Sequence, residues 1–529
     1  MRGYRFLKEA DRLDSIAVVK NELSNTRFGI IDHNTSRLFF GAAAEKAELI
    51  VRQYLLMRIC SFGLNNALFY SLGAKGSAVI YPMPKLWQSV VVKHGFSVAK
   101  IRCSLLWAGY VGLFWGYGVL YILKQFLIAL FEKICRRTPA HGRYAYFLGL
   151  TAGNIPQPCR DGRSHDIITW YARWKGKAER LETLCHGVAN AKSSSVAGCH
   201  VMFSSQAVPP LGNLGSLVSF VTWALGVALL SALDLFRGHW WHALLLKESI
   251  SAAIVRFEVP EKLARDYMFN NSSWIYRPLW TYEAEKKGSR ILFYFYSTNV
   301  ENFKRPEGYP LQANSWQVVN WPIYLAWDEY QADFLRRAVN PAVNVEVVGP
   351  IWFQSTSVEI PELPAGSVAV FDVQPQRSSR YPILAILEKY CGHRTAIQFL
   401  LDIHAAIREC KRTMVYKRKR RIGKMLHPEY AALVRSLSEA GGVFIIEPDT
   451  SVVRVIEGCF AVISMPFTAT ALWGRELGKP SIYYDPYGVV QKDDRAAHGI
   501  QVLCGVNELR GWLAGLSESS GKVPIRGNA

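Results

Sequence analysis

Asp372 closes the apolar run Val368–Phe371. A carboxylate at the carboxyl end of a buried strand can attack an electrophilic carbon, or it can cap the turn that follows. With Pro375 close behind, spacing alone favours the cap. The basic run Lys417–Arg421 follows a second apolar run, Thr413–Tyr416. Such cations can neutralise the charge of a departing anion, or they can form a solvated face. Lys417 and Lys419 are assigned the first role, while Arg418 is left to water or lipid head groups. A third group is Ser464, Pro466, Thr468 and Thr470. Proline at a helix start, with hydroxyls around it, leaves backbone N–H groups available to an anion. Glu447 and Asp449 flank Pro448, and carboxylates so placed can accept hydrogen bonds from hydroxyl groups.

The elements that must position these residues read as a β-α series. Val368–Phe371, Thr413–Tyr416, Phe444–Glu447, Ala461–Ser464 and Ser481–Tyr484 are continuous β-rich runs. Between them fall helical patterns: one within Tyr381–Ile407, one over Pro428–Ala440, one over Val452–Glu457, and one ending at Leu477 before Gly478. Strands alternating with helices predict a parallel sheet covered on both faces, with ligands beyond the carboxyl ends of its strands. Upstream, Ile16–Val19, Ser77–Tyr81, Ile291–Tyr296 and Val345–Val348 read as strands, and Ala42–Cys60 and Trp327–Val339 as helices. Pro361–Gly366 is the linker, dividing residues 1–360 from a second domain at 366–515 and a frayed tail at 516–529.

At 529 residues, half of them hydrophobic, the chain can bury two cores. Its net charge of +20 is compatible with nucleic acid, an anionic membrane or phosphorylated substrates. The basic residues are spread along the chain and no nucleic-acid module is visible, so nucleic acid is not expected as a partner. The 10 cysteines form no C-x-x-C pair, which predicts neither a zinc site nor a disulfide framework and points to a reducing compartment. The first residues are charged, so no cleavable signal peptide is expected. Cys103–Leu123 and Gly212–Leu233 are free of charge throughout, and each has the length of about 20 residues that a bilayer span requires. Trp107, Trp115, Tyr117 and Tyr121, with Trp240 and Trp241 beyond the second segment, suit an interfacial belt. The stretch between the two segments is itself basic. We therefore expect re-entrant or interfacial helices, or a hairpin within each apolar region, inside an insertion at about 103–247 with all polar parts on the cytoplasmic side; the alternative is one or two buried core helices.

The phrases FDVQPQR (Phe371–Arg377), KRKRR, EPD, SMPFTATA and YYDP resemble bacterial surface-polysaccharide glycosyltransferases of the GT-B fold. Within these, they are similar to retaining β-Kdo transferases, which use a CMP-activated sugar. YRPLWTYEAEKKGS, FYFYSTN and WDEYQADF extend the resemblance over roughly Tyr276 to Pro486, and SHDIITWYARW (Ser164–Trp174) looks like part of that group's first domain. The resemblance implies two Rossmann-like α/β domains with a membrane-associated helical insertion in the first. It implies Asp372 as the nucleophile of a double displacement, and Arg377, Lys417, Lys419, Glu447, Asp449, Ser464, Pro466, Thr468 and Thr470 around the nucleotide-sugar. On the acceptor side Ser297-Thr298-Asn299 could line the cleft, Glu301 is the candidate base, and Glu283 competes with it. His427 precedes Pro428 and is either a flank of the helix or part of the site. GT-B enzymes generally work without a bound metal, so the pair Asp493-Asp494 is not expected to hold one, and no cofactor is implied.

The expected role is transfer of a sugar, Kdo first, to a lipid-linked glycan of capsule or lipopolysaccharide type at the cytoplasmic face of the bacterial inner membrane. Two alternatives stand beside it: an inverting enzyme using a UDP- or GDP-sugar, and a catalytically inert membrane scaffold or export accessory.

Overall fold

The computed structural model describes residues 10–30, 33–60, 62–73, 77–135, 143–157, 164–176, 181–271, 276–298, 301–310, 316–353, 358, 360–378, 390, 392–421 and 423–519. Five helices come first: α1 (Ala10–Asn25), α2 (His33–Phe40), α3 (Ala47–Arg58), α4 (Phe62–Gly73) and α5 (Lys85–Lys93). The long helix α6 (Lys100–Cys135) leads into β1 (Tyr144–Phe147), α7 (Ile167–Tyr171), β2 (Thr183–His186), β3 (Ser194–Val196) and β4 (Cys199–Phe203). A second long apolar helix, α8 (Leu214–Phe236), is followed by α9 (Trp240–Leu244) and α10 (Leu246–Phe257). The domain closes with β5 (Asp266–Asn270), α11 (Trp280–Lys286), β6 (Arg290–Tyr294), β7 (Ile323–Ala326), α12 (Glu329–Ala338) and β8 (Val345–Val347).

These strands form one sheet of order β3-β4-β2-β1-β5-β6-β7-β8, parallel except for the β3/β4 hairpin. All residues of β5 are buried, which is what a sheet covered on both faces demands. Its first residue, Asp266, is fully buried; it accepts paired bonds from Arg290 Nε and Nη2 at 2.7 and 2.6 Å and a third from the Tyr171 hydroxyl. A buried carboxylate so paired escapes the cost of an unmatched charge.

The structure redraws several expectations for this half. Ile16–Val19 lies inside α1 rather than in a strand, and Ser77–Tyr81 contributes only a single bridge, Val79 to Val98. Short apolar runs fit either period, and here helix packing won. Residues 103–247 are not an insertion. Strands β1, β2 and β4 lie within them, and β1 pairs directly with β5. The helices around these strands were legible; the strands themselves are short and of mixed composition.

The second domain contains β9 (Val368–Phe371), α13 (His393–Glu409), β10 (Met414–Lys417), α14 (Pro428–Glu439), β11 (Val443–Ile446) and α15 (Val452–Glu457). It continues with β12 (Ala461–Ser464), α16 (Ala469–Glu476), β13 (Ser481–Asp485), β14 (Gln501–Cys504) and α17 (Gly505–Ser519). The sheet order is β11-β10-β9-β12-β13-β14, all parallel. This is the doubly wound Rossmann order, and the direction of winding reverses between β9 and β12. Helix α17 carries regular structure to Ser519 with Leu516 buried, so the tail expected from 516 begins later; residues 520–529 lie outside the described residues. The molecule is thus α/β with two Rossmann-like domains, the GT-B arrangement, and two apolar helices in the first.

Candidate functional site

Strand register decides which residues meet. Phe371 is the partner of Lys417 on one side and of Ser464 on the other, so these three side chains share a face of the sheet. Asp372 is one residue further on and points to the opposite face. There it is 2% exposed and accepts bonds from Tyr416, whose hydroxyl is 3.2 Å from each oxygen, and from the Tyr430 hydroxyl on α14. Burial pushes its carboxyl up to about 6, against the pull of the two hydroxyls and the Lys419 charge. Both tyrosines are themselves driven upward by burial and the neighbouring carboxylate, so they remain O–H donors.

On the Lys417 face a cavity of about 680 Å³ opens between the domains. Lys417, Lys419, Arg420, Arg421 and Asp449 line one wall, with the Thr450 and Ser451 hydroxyls and the Trp473 ring beside them. The opposite wall comes from the first domain: Ala152, Gly153 and Gln157 beyond β1, Tyr296 beyond β6, and His165 with Trp352. The carboxyl edges of both sheets therefore face one cleft, where ligands of such sheets bind. Lys417 is 4% exposed, and its ammonium donates to the Pro448 carbonyl at 2.9 Å and the Arg418 carbonyl at 3.3 Å. Burial pushes it down to about 8, with Asp449 acting weakly the other way. Among the described residues no carboxylate lies within ion-pair distance of it. A buried cation without a counter-ion is costly unless an anion arrives.

The other expected site residues are placed as follows. Ser464 and Thr468 are buried, and a chain of hydroxyls runs from Ser464 to Thr470 (2.7 Å) and on to Thr468 (3.0 Å) at the start of α16. Pro466 lies in the same turn, and Trp473, one turn along α16, reaches the cavity. Glu447 is half exposed and is taken by Arg418 and by Arg421 at 3.5 Å, while Arg421 also reaches Asp449 at 2.9 Å. Arg377 is exposed and donates to the Lys424 carbonyl at 3.0 Å; it does not line the cavity. His427 stacks on His393 with ring centroids 3.8 Å apart, and Glu429 completes the one group of potential metal ligands among the described residues. Asn299 lies outside the described residues.

Glu301 and Glu283 are not positioned as bases. Glu301 receives Arg337 Nη1 and Nη2 at 2.8 and 3.2 Å and Arg495 Nη2 from the second domain at 2.9 Å. Its lone pairs are committed, and it is absent from the cavity wall. Glu283 is equally engaged, by Arg256 Nε at 2.8 Å and the Ala42 N–H at 3.0 Å. The Asp493-Asp494 pair also joins the domains: Asp493 pairs with Lys304, and Asp494 accepts from the Lys304 N–H at 2.7 Å and the Tyr309 hydroxyl at 3.2 Å. Asp328 meets His498 at 2.8 Å across the same seam.

Glu301→Gln should therefore lower the melting temperature, through the loss of roughly 1–2 kcal/mol of half-exposed ion pairing, while turnover survives. Abolished turnover at unchanged stability would restore Glu301 as a base.

The residues that sequence reasoning missed are the aromatic walls, Tyr296, Trp352 and Trp473. His165 packs against Trp352 with centroids 4.8 Å apart; it lies in the phrase SHDIITWYARW, and Tyr296 lies in FYFYSTN, and those phrases were the available signals.

The chain belongs to the family of polysaccharide biosynthesis PFTS motif proteins, whose sequence model matches residues 223–513. No curated protein matches the chain. Solved structures with some likeness include UDP-GlcNAc 2-epimerase from Methanocaldococcus jannaschii, at 10% identity and TM-score 0.35, covering 71% of this chain and 92% of that one. The Anabaena protein Alr3699/HepE in complex with UDP and glucose is similar at 10% identity and TM-score 0.36, covering 72% and 91%. Sucrose-phosphate synthase from Thermosynechococcus elongatus is similar at 10% identity and TM-score 0.35, covering 71% and 90%.

Proposed function

We propose that the protein is a glycosyltransferase of surface-polysaccharide assembly that moves a sugar from a nucleotide donor to a lipid-linked glycan. The observation that carries this reading is the unpaired, buried Lys417 in the interdomain cavity, with Lys419 both lining that cavity and acting electrostatically on Asp372. A donor phosphate beside Lys417 and Lys419 would supply the missing counter-charge. The nucleoside would lie against the aromatic walls, and Asp449, Thr450 and Ser451 offer partners for its hydroxyls.

The donor we favour is CMP-Kdo, on the resemblance of the motifs around Asp372 and Lys417. In the first step an Asp372 oxygen bonds to the anomeric carbon as the bond to the CMP phosphate breaks, and the electron pair leaves with CMP. The acceptor hydroxyl then attacks the anomeric carbon as the bond to Asp372 breaks, its proton passing to the departing carboxylate and on to water, which restores the starting configuration. Attack requires one tyrosine hydroxyl to release its carboxylate oxygen, and it requires the sugar to reach around the strand end, because Asp372 does not line the Lys417 cavity and opens on the other face of the sheet. The same hydroxyls can later stabilise the departing carboxylate. The reaction would take place at the cytoplasmic face of the bacterial inner membrane, as the apolar helices and net charge of +20 suggest.

A screen of CMP-, UDP- and GDP-sugars with the purified protein tests this. CMP-Kdo should bind, and mass spectrometry should find one sugar residue added to the peptide containing Asp372. Binding of a UDP- or GDP-sugar alone would replace the donor, and binding of no nucleotide would favour a scaffold.

A further inference from the structure

Helices α6 and α8 each bury one face only. In α6, Cys103, Trp107, Val111 and Ile122 face the domain, while Ile101, Leu105, Leu113 and Leu120 are 66–79% exposed. In α8, Leu217, Phe220, Ala224 and Val227 are buried, while Leu225, Leu229 and Phe236 are 62–90% exposed. The result is an apolar surface far larger than a soluble monomer ordinarily leaves in water. Each is long and apolar enough to cross a bilayer, but both of its ends are fixed to one folded body. Val79 and Val98 before α6, β1 after it, β4 before α8 and β5 after α10 all belong to one body. Each helix therefore starts and ends on one body, and a bilayer that covered its exposed face would take it along the membrane surface.

At the margin of this surface is a second cavity, of about 540 Å³. Tyr121, Lys124 and Gln125 of α6, Arg58 of α3, and Lys247 and Ser251 of α10 line it. Its remaining wall follows β4 and β5, at Ser205–Val208 and Tyr276–Trp280. That is the carboxyl edge of the first sheet, the edge that faces the donor cleft. Among the described residues, Arg58, Lys124 and Lys247 make no ion pair. Lys247 stands 5.6 Å from the ring centres of both Tyr117 and Tyr121. One acid, Glu248, also lines the cavity, and it accepts from the Tyr276 hydroxyl at 3.2 Å.

We propose that this cavity holds the diphosphate head group of a membrane lipid, the anchor of the acceptor. Free phosphate would need no apolar surface beside its site, and a bilayer alone would need no cavity. Three cations against one carboxylate, beside the exposed Leu120, Leu123 and Leu127 of α6, fit a ligand that is anionic at one end and hydrocarbon at the other. The proposal rests on the reading of the acceptor as membrane-anchored, and can fail while that reading stands.

Flotation of the full chain on three kinds of vesicle tests it: phosphatidylcholine alone, phosphatidylcholine with phosphatidylglycerol, and phosphatidylcholine with a prenyl diphosphate at matched surface charge. Wild type should prefer the prenyl diphosphate vesicles by roughly tenfold, the scale of one charged hydrogen bond. Lys124→Gln combined with Lys247→Gln should erase that preference and still float on phosphatidylglycerol; the exposed Lys124→Gln alone should reduce it if the double variant melts early. Equal wild-type binding to both anionic vesicles, or a preference that survives the substitutions, would overturn the head-group site and leave membrane docking intact. No flotation on any vesicle would remove the membrane reading as well. Calorimetric binding of inorganic pyrophosphate without any vesicle preference would overturn the lipid as the source.

Discussion

Asp372→Asn should remove nearly all turnover and, above pH 6, make the folded protein more stable. Burial holds the Asp372 carboxyl at about 6, against about 3.9 in an unfolded chain. Between these values the folded state keeps a proton that the unfolded state has lost, so stability falls as pH rises through the window. Above pH 6 the penalty is present in full, on the order of 2–3 kcal/mol. Asparagine carries no charge and escapes that penalty, less whatever its weaker bonds from Tyr416 and Tyr430 forfeit. Melting curves of both proteins at pH 5 and pH 8 would show the gain growing with pH, and turnover of wild type should climb through pH 6 as the nucleophile ionises. A variant less stable at pH 8 would make the carboxylate a structural acceptor. Near-normal turnover would end its assignment as nucleophile.

Lys417→Met is the second large effect, and its sign also depends on what is bound. The lysine sits at about 8 when folded and about 10.4 when unfolded, so the folded state binds fewer protons between those values. Stability therefore rises with pH across that window, and the full cost of the buried charge applies below pH 8. Methionine of similar volume should thus stabilise the free protein at pH 7 by up to about 2–3 kcal/mol. With the donor the order reverses: loss of a charge-assisted bond should weaken binding by about 1.5–3 kcal/mol, roughly ten- to a hundredfold. Calorimetry with the donor at pH 7 would check this. Unchanged affinity would take Lys417 out of the site and leave its burial without a functional account.

The second domain was legible in the sequence because local and global signals agree there. Val368–Phe371, Ala461–Ser464 and Val452–Glu457 were delimited as observed. Each is a run of one period bounded by turn residues. Lys417 proved to be the last residue of β10 rather than the first beyond it, and that one position matters. Side chains alternate along a strand, so the register that puts Lys417 level with Phe371 sends Asp372 to the other face. Sequence brought both to the sheet edge; only pairing shows that they open on different sides. The enclosure of Asp372 by Tyr416 and Tyr430, and the clamp of Arg337 and Arg495 on Glu301, join residues far apart in the chain. No spacing rule reaches across such distances.

A ribosome releases Lys100–Cys135 well before Asp266–Asn270 exists. The emerging helix is long and apolar enough to cross a bilayer. Were it threaded across at that moment, β1, β2 and β4 would be delivered to the far side, and β5 would keep β6 but lose its partner β1. Lys100 and Arg102 at its start and Lys124 further along resist transfer from both flanks. The hydrogen-bonded neighbours β1 and β5 thus proofread topology: a chain inserted as an anchor cannot complete its sheet, and a chain that completes its sheet has kept β1 and β5 on one side of any membrane. Hydropathy makes insertion possible, and strand pairing makes it incompatible with a folded enzyme.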